Sequence, residues 1–277
     1  MAQPACRAHD VEGNASAHAR AVRTAAARVV VFCELSLAGY GLDAAPIAPG
    51  DGRLAPLVAA CAEAGTFALA GVPVPGPRIG VLAVDGGGAR VAYRKTRLGA
   101  DGAARFVPGA GRAATDVDGW CVGMAVCRDT GVAEHAAKTA APGVDGCVAG
   151  LVHDESEAEA HGARARRIAA DHGVRGAMAV FAGPTGGGCH RASGRSGIWS
   201  STGELLAEAS TAPDDVVRAD FTSTPCPPHA PPRPGPANSR AHHGRNGTTT
   251  PPGAGWHGGH GRAWSPRWLS WSMSPCT

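Results

Sequence analysis

Between residues 10 and 221, short apolar runs typical of buried strands alternate with longer alanine-rich stretches typical of helices. Residues 11–27 are alanine-rich, and the apolar run at 28–32 follows them directly. The same order recurs at 54–64 and 67–72. Strands that alternate with helices indicate helices layered on sheets. We therefore predict an α/β layered domain.

The alternation ends abruptly after Phe221. Seven of the 22 prolines lie between residues 225 and 236, and glycine-, histidine- and threonine-rich sequence follows them. Prolines at this density exclude both a helix and a central strand. We predict a folded domain at residues 1–221 and a disordered C-terminal tail at 222–277.

Composition and charge exclude several functional classes. The formal net charge of +3 is too small to indicate a nucleic-acid partner. No apolar run is long enough to span a membrane, and the N-terminus lacks the pattern of a signal peptide. The nine cysteines are odd in number and form no C-x-x-C pair, which argues against a disulfide framework or a zinc site. We predict a cytoplasmic protein without a metal or another cofactor.

The tail contains an aromatic and basic segment. Four tryptophans alternate there with arginines, and this pattern is found in segments that contact a membrane surface or single-stranded nucleic acid. An extension without a function is the alternative, and we favour it because the predicted domain is complete before the tail. We therefore expect neither a membrane nor a nucleic-acid partner.

Three residues capable of hydrolytic chemistry follow three of the predicted strands. Lys95 and Cys127 come directly after runs that end at residues 94 and 126, and Glu34 comes two residues after an apolar run that ends at 32. The pattern after Cys127 breaks and then predicts a helix that starts at 132. A cysteine between a strand and a helix N-terminus is placed where the helix dipole favours a thiolate, so Cys127 is a candidate nucleophile. A small buried core residue is the alternative for a cysteine considered alone.

The residues around these three strand ends form motifs in a specific order. They read Cys33-Glu34 with Gly39-Tyr40, then Tyr93-Arg94-Lys95-Thr96-Arg97-Leu98, then Cys127-Arg128-Asp129. Together they resemble the nitrilase (carbon–nitrogen hydrolase) superfamily over roughly residues 10–221. Each motif is weak alone, but their order and spacing make the resemblance specific.

The resemblance implies a fold and a chemistry. The fold would be an α-β-β-α sandwich that pairs with a second copy, so we expect a homodimer or a higher homo-oligomer. Cys127 would form a thioester with a small amide, ureido acid or nitrile. Glu34 would act as the general base, and Lys95 would stabilise the oxyanion.

Four departures from the family pattern affect these expectations. The position of a second family glutamate is occupied by Gly102, and the nearest acid is Asp101, which we predict to contact the substrate. Cys33 replaces a proline before Glu34. Arg128 stands where an aromatic residue is frequent, and its guanidinium could bind a substrate carboxylate. The first strand is truncated relative to the family, which would leave a sheet edge exposed.

Two further hypotheses remain open at this stage. A catalytically impaired or vestigial protein that keeps the fold as a binding module would explain Gly102 and the short first strand. A Cys-His thiol hydrolase that uses His135 or His153 is weaker, because no strand end offers the third, orienting group that such a site needs. A panel of amides would separate the first of these from an active hydrolase.

Overall fold

The computed structural model describes residues 1–111 and 113–221, so the predicted tail at 222–277 lies outside the described residues. The helices are α1 (Val11–Ala25), α2 (Ala55–Ala64), α3 (Ala100–Ala103), α4 (Ala133–Ala140) and α5 (Ala160–His172). The strands are β1 (Ala2–Gln3), β2 (Val29–Val31), β3 (Phe67–Val74), β4 (Arg78–Asp85), β5 (Gly88–Arg94), β6 (Ala114–Val117), β7 (Trp120–Val126), β8 (Gly146–Leu151), β9 (Arg175–Val180), β10 (Ala182–Gly183), β11 (Ala192–Ser193), β12 (Gly197–Trp199), β13 (Leu205–Glu208) and β14 (Asp215–Val216).

Most of these strands belong to two sheets. One sheet has four strands in the order β2-β3-β4-β5, and the other has six in the order β13-β12-β9-β8-β7-β6. Strand β2 runs parallel to β3, and β7, β8 and β9 run parallel to one another. Two-residue ribbons join β1 to β14 and β10 to β11. Glu34 follows a strand of the first sheet, whereas Cys127 follows a strand of the second.

Three apolar clusters show how the layers stack. The first contains side chains from both sheets, such as Leu69 and Met124, and lies between them. The second joins α1 and α2 to the four-stranded sheet through residues such as Val22 and Leu57. The third joins α4 and α5 to the six-stranded sheet. Three buried interfaces separate four layers, so the predicted α-β-β-α sandwich is confirmed.

Helix α1 begins at the predicted residue and ends at Ala25, two residues before the predicted end at 27. The side chain of Asp10 accepts a hydrogen bond from the backbone N–H of Gly13 at 3.0 Å and caps the helix. Ala26, in the left-handed conformation with φ +43°, ends it three residues before the start of β2. Within the described residues no helix is long and apolar enough to cross a membrane.

Strand β1 consists of two residues and joins neither large sheet. Ala2 lies opposite Val216 in β14, and Gln3 lies opposite Asp215. Strand β2 is the edge of its sheet, and no described strand pairs with its outer side. The N-terminal amine of Met1 donates to the carbonyl of Val217 at 2.7 Å, and burial lowers the pKa of this amine to about 6.

A cavity of about 400 Å³ lies beside Met1. Its lining combines Met1 and Val29 with Val148 and Ile198 of the six-stranded sheet, and with Phe221. None of Glu34, Lys95 and Cys127 lines it. The cavity is therefore separate from the predicted catalytic residues and adjoins the unpaired edge of β2.

Candidate active site

The three strand ends that the sequence singled out meet at one buried place. The side-chain amine of Lys95, which follows β5, donates to Oε1 of Glu34, which follows β2, at 2.6 Å. Glu34, Lys95 and Cys127 are 1%, 5% and 7% exposed. The charges of Glu34 and Lys95 both act on the Cys127 thiol. The fold thus brings together three groups that are distant in sequence, since Glu34 and Lys95 are 61 residues apart and Lys95 and Cys127 are 32 apart.

Glu34 is held by a turn of strained backbone. Leu35, the next residue, has φ +51°, a conformation uncommon for a side chain other than glycine. A 3-10 turn at Ser36–Ala38 follows it. Oε1 of Glu34 accepts from Lys95, and Oε2 is buried without a hydrogen-bond partner among the described residues. A buried carboxylate oxygen in this state is available to accept a proton or a bond from a substrate or water.

Two glycines allow the chain to pass close to Glu34 from both sides. A Cβ atom at Gly71 in β3 would lie 2.3 Å from the carbonyl oxygen of Cys33. A Cβ atom at Gly150 in β8 would lie 2.6 Å from the carbonyl oxygen of Phe32 and 2.8 Å from the backbone nitrogen of Glu34. Any side chain at these two positions would displace the turn. Sequence reasoning missed both residues, and a glycine inside an apolar strand run was the available signal.

Cys127 has a left-handed backbone conformation, which is uncommon for a residue other than glycine. Its φ is +43°, and it begins a 3-10 turn at Cys127–Gly131 rather than a helix. Its Sγ lies 3.7 Å from the carbonyl oxygen of Val152, which follows β8. A strained residue at a strand end is a common arrangement for an enzymatic nucleophile.

The predicted lowering of the thiol pKa is wrong for the unliganded protein. Burial raises the pKa of Cys127 to about 11, the negative charge of Glu34 adds to the effect, and the positive charge of Lys95 opposes it. Helix α4 begins at Ala133, so the 3-10 turn separates the thiol from the helix N-terminus. The thiol therefore keeps its proton near neutral pH and needs a base.

Lys95 is the cation of the site. Burial alone would lower its pKa, but the negative charges of Glu34 and of the Cys127 thiolate outweigh this effect, and the pKa is raised. Lys95 is therefore protonated near neutral pH. A buried ammonium beside a carboxylate and a thiol is an arrangement that stabilises negative charge developing on a substrate.

Asp129 lies under the turn and is fully buried. Its carboxylate accepts hydrogen bonds from the hydroxyls of Tyr93 and Thr96, both at 2.9 Å. It also accepts from the backbone N–H groups of Arg97 at 2.8 Å and Val126 at 3.0 Å. Asp129 is part of the Cys127-Arg128-Asp129 motif, but its sequence position did not indicate these contacts.

The two predicted substrate-binding residues lie outside this buried group. Arg128 is exposed on the turn, directly after Cys127. Asp101 is exposed on the four-residue helix α3, and Gly102 beside it is half-buried. A Cβ atom at Gly102 would contact only Leu98, at 3.8 Å, so the position has room for a side chain.

The two histidines of the Cys-His hypothesis have other partners. The ring of His135 contacts the Thr96 hydroxyl at 3.2 Å and the Met124 carbonyl at 3.4 Å. His153 lies 2.8 Å from the guanidinium of Arg164, and burial, with a contribution from that charge, lowers its pKa to about 3. Neither ring has the Cys127 thiol as one of these hydrogen-bond partners.

In the part of the chain that the structure describes, no three histidine, cysteine, aspartate or glutamate side chains come together as a group that could hold a metal ion.

The Carbon-nitrogen hydrolase family model matches residues 1–225. The chain belongs to the carbon–nitrogen hydrolase family. The resemblance to the nitrilase superfamily is therefore confirmed, and carbon–nitrogen hydrolase activity is the function that this membership supports. No curated protein matches the chain.

Solved structures of the superfamily share the fold. An active-site variant of the amidase from Nesterenkonia sp. AN1, with acrylamide added to its active-site cysteine, is 23% identical with a TM-score of 0.63, over 76% of this chain and 88% of that one. A second variant, in complex with butyramide, is 24% identical with a TM-score of 0.63, over 76% and 85%. XC1258 from Xanthomonas campestris, a CN-hydrolase superfamily protein with an arsenic adduct in its active site, is 18% identical with a TM-score of 0.68, over 78% and 87%.

Proposed function

We propose that this carbon–nitrogen hydrolase cleaves the non-peptide C–N bond of a small amide, ureido acid or nitrile through a thioester on Cys127. The observation that carries the proposal is the buried ion pair of Lys95 and Glu34, 2.6 Å long, beside a buried thiol. The amidase from Nesterenkonia sp. AN1, whose variants hold acrylamide and butyramide, supports an amide substrate.

The first half of the reaction forms the thioester. Glu34 takes the thiol proton as Sγ of Cys127 attacks the amide carbon, and a tetrahedral intermediate forms. Lys95 stabilises the negative charge on its oxygen, together with the backbone N–H of Arg128. Glu34 then returns the proton to the nitrogen as the C–N bond breaks, and ammonia or an amine leaves.

The second half of the reaction releases the acid. Glu34 takes a proton from water, and the resulting hydroxide attacks the thioester carbon. Lys95 stabilises the second tetrahedral intermediate in the same way as the first. The C–S bond breaks, the thiol recovers its proton, and the carboxylic acid leaves. One carboxylate therefore serves both halves, which agrees with an Oε2 atom that has no other described partner.

Release of ammonia tests the proposal. The full chain is incubated with small amides, ureido acids and nitriles, and ammonia is followed against a Cys127→Ala variant. We expect release from at least one class with the unmodified protein only. Equal, background release from both proteins would instead favour the vestigial binding module, which the exposed position of Asp101 and the absent side chain at Gly102 support.

We further propose that Arg128 selects substrates with an acid group. It is exposed and adjoins the nucleophile, so its guanidinium can approach a carboxylate at the rim of the site. Arg128→Leu should raise KM for ureido acids and for half-amides of dicarboxylic acids, by the equivalent of about 1.5–3 kcal/mol for a charged hydrogen bond. Neutral aliphatic amides are the control. An equal rise in KM for acidic and neutral substrates would show that Arg128 does not bind a substrate carboxylate.

Assembly and location stay predictions. A homodimer or higher oligomer follows from the family resemblance and is measured by the molar mass of the purified chain in solution. A cytoplasmic location is measured by fractionation of cells that express the full chain.

A further inference from the structure

Asp129 connects the two strand ends that carry Lys95 and Cys127. Its partners Tyr93, Thr96 and Arg97 flank Lys95 in the four-stranded sheet and the loop after it. The remaining partner is the backbone N–H of Val126, the last residue of β7 in the other sheet. One carboxylate therefore links the two sheets next to the reacting groups.

The protonation of these partners is defined. Burial raises the pKa of the Tyr93 phenol and the charge of Asp129 adds to the effect, so Tyr93 remains a donor. The Thr96 hydroxyl has a single proton and directs it to Oδ1 of Asp129. The backbone N–H groups of Arg97 and Val126 can only donate. All four contacts thus need an acceptor at this position, and an ionised carboxylate supplies acceptors only.

The same turn is also fixed on its other side. The Thr130 hydroxyl donates to the carbonyl of Cys127 at 2.7 Å. The guanidinium of Arg167 on α5 donates to the carbonyl of Thr130 at 2.6 Å. These contacts fix the C-terminal side of the turn to α5, but they do not touch the chain around Lys95. The Asp129 contacts, in contrast, join the nucleophile turn to the Lys95 strand end.

We propose that Asp129 is a positioning residue that sets the placement of the Cys127 thiol relative to Lys95 and Glu34. It acts through the left-handed backbone at Cys127 and through the hydroxyls of Tyr93 and Thr96. This inference rests on the proposed hydrolase function for its kinetic consequence. Its structural consequence, the electrostatic coupling of Lys95 to the thiol, does not depend on turnover.

The test compares Asp129→Asn with a matched control, Asp145→Asn. Asp145 also accepts from a backbone N–H of β7, that of Cys121 at 2.7 Å, but lies at the opposite end of the strand. The amide keeps the size of the carboxylate and replaces one acceptor with a donor. We expect Asp129→Asn to lower kcat for ammonia release at least tenfold while KM changes less than twofold, and Asp145→Asn to leave both unchanged.

A second readout needs no turnover. The rate at which iodoacetamide alkylates Cys127 is measured against pH by peptide mapping, for the native fraction of each variant. We expect the pH at which alkylation of Cys127 reaches half its maximum rate to be higher in Asp129→Asn, because Lys95 is no longer placed to stabilise the thiolate. An unchanged midpoint, with kcat reduced only in proportion to the unfolded fraction, would overturn the proposal and leave Asp129 as a contributor to stability.

Thr96 supplies a conservative pair. Thr96→Ser keeps the hydroxyl that donates to Asp129, and Thr96→Val removes it at similar size. The serine variant should retain the alkylation midpoint and kcat, and the valine variant should shift both in the direction of Asp129→Asn. Equal behaviour of the two variants would overturn the proposal. If the unmodified chain releases no ammonia, the hydrolase proposal fails, whereas the alkylation midpoints still decide the role of Asp129.

Discussion

At Cys127, burial and two neighbouring charges act on one thiol in different directions. Burial and Glu34 raise its pKa, and Lys95 lowers it, with a net value of about 11. The resting site is therefore a thiol next to an ion pair rather than a thiolate. In the proposed mechanism the thiol proton moves to Glu34 during attack on the substrate, so the position of that carboxylate matters as much as the cysteine.

The first prediction uses the opposite signs of the two charges. Glu34→Gln removes the negative charge, so the pKa of Cys127 should fall and alkylation by iodoacetamide near neutral pH should become faster. Lys95→Met removes the positive charge and should make it slower. Cys61, a buried cysteine on α2 whose pKa burial raises to about 11, is the internal control. A shift of both variants in the same direction would contradict this electrostatic account.

The second prediction concerns the missing glutamate. Gly102→Glu should increase ammonia release, because the position is half-buried and its Cβ would meet only Leu98 at ordinary contact distance. The steady-state rate is measured with the best substrate of the panel. Asp101→Asn is the control and should leave the rate unchanged, since Asp101 is exposed. A large loss in Asp101→Asn would show that this aspartate already serves in place of the glutamate.

Among the elements, β1 differs most from its neighbours. It is two residues long, it pairs only with β14, and the outer edge of β2 has no described partner. Beyond the ribbon, Val217 and Phe221 line the same cavity as Val29. The cavity therefore lies between two stretches of chain that can both offer backbone hydrogen bonds to a strand placed between them.

The third prediction tests this edge. Five alternating valines and alanines fused ahead of Met1 should raise Tm, because they would fill the cavity, pair with β2 and replace the buried amine by a peptide group. An added stability of 1 kcal/mol corresponds to about 2–4 °C for a domain of this size. Hydrogen exchange at Val29 and Val31 should slow in parallel. A glycine–serine extension of equal length is the control, and equal Tm values for the two extensions would refute the expectation.

At the scale of the whole molecule, the sandwich buries polar groups together with its three apolar clusters. His18 lies on α1 between Asn14 and Ser36, and burial lowers its pKa to about 4. Burial also lowers the pKa of His153, to about 3. Both rings are neutral in the folded protein at pH values where the unfolded chain would already bind a proton.

The fourth prediction follows from this difference. Both folded pKa values lie below the unfolded value of about 6.5. The unfolded chain therefore binds these protons first, so the free energy of unfolding is highest above pH 6.5 and decreases as the pH falls towards 4 and 3. For His18 the loss is on the order of 3 kcal/mol. Tm measured from pH 7 to 4 should fall steeply, and His18→Asn should flatten the slope. His190→Asn, at an exposed position, should leave the slope unchanged. An equal effect of both variants would show that His18 does not cause the pH dependence.

The sequence alone determined the order of elements and the identity of the three reactive side chains. Alternation of apolar runs and alanine-rich stretches is a local property, so the end of β7 was predicted at its observed residue, and β3 and α2 were predicted to within two residues. Glu34, Lys95 and Cys127 were found because a residue directly after a strand lies at the end of a sheet.

Only the tertiary structure decided what these residues do to one another. The 2.6 Å contact of Lys95 with Glu34, the direction of the thiol pKa and the four bonds to Asp129 all join parts of the chain distant in sequence. The sequence placed Cys127 at a helix N-terminus, where a thiolate is favoured. Its burial between two sheets instead raised the pKa, because removing a charge from water costs more than the nearby ammonium returns.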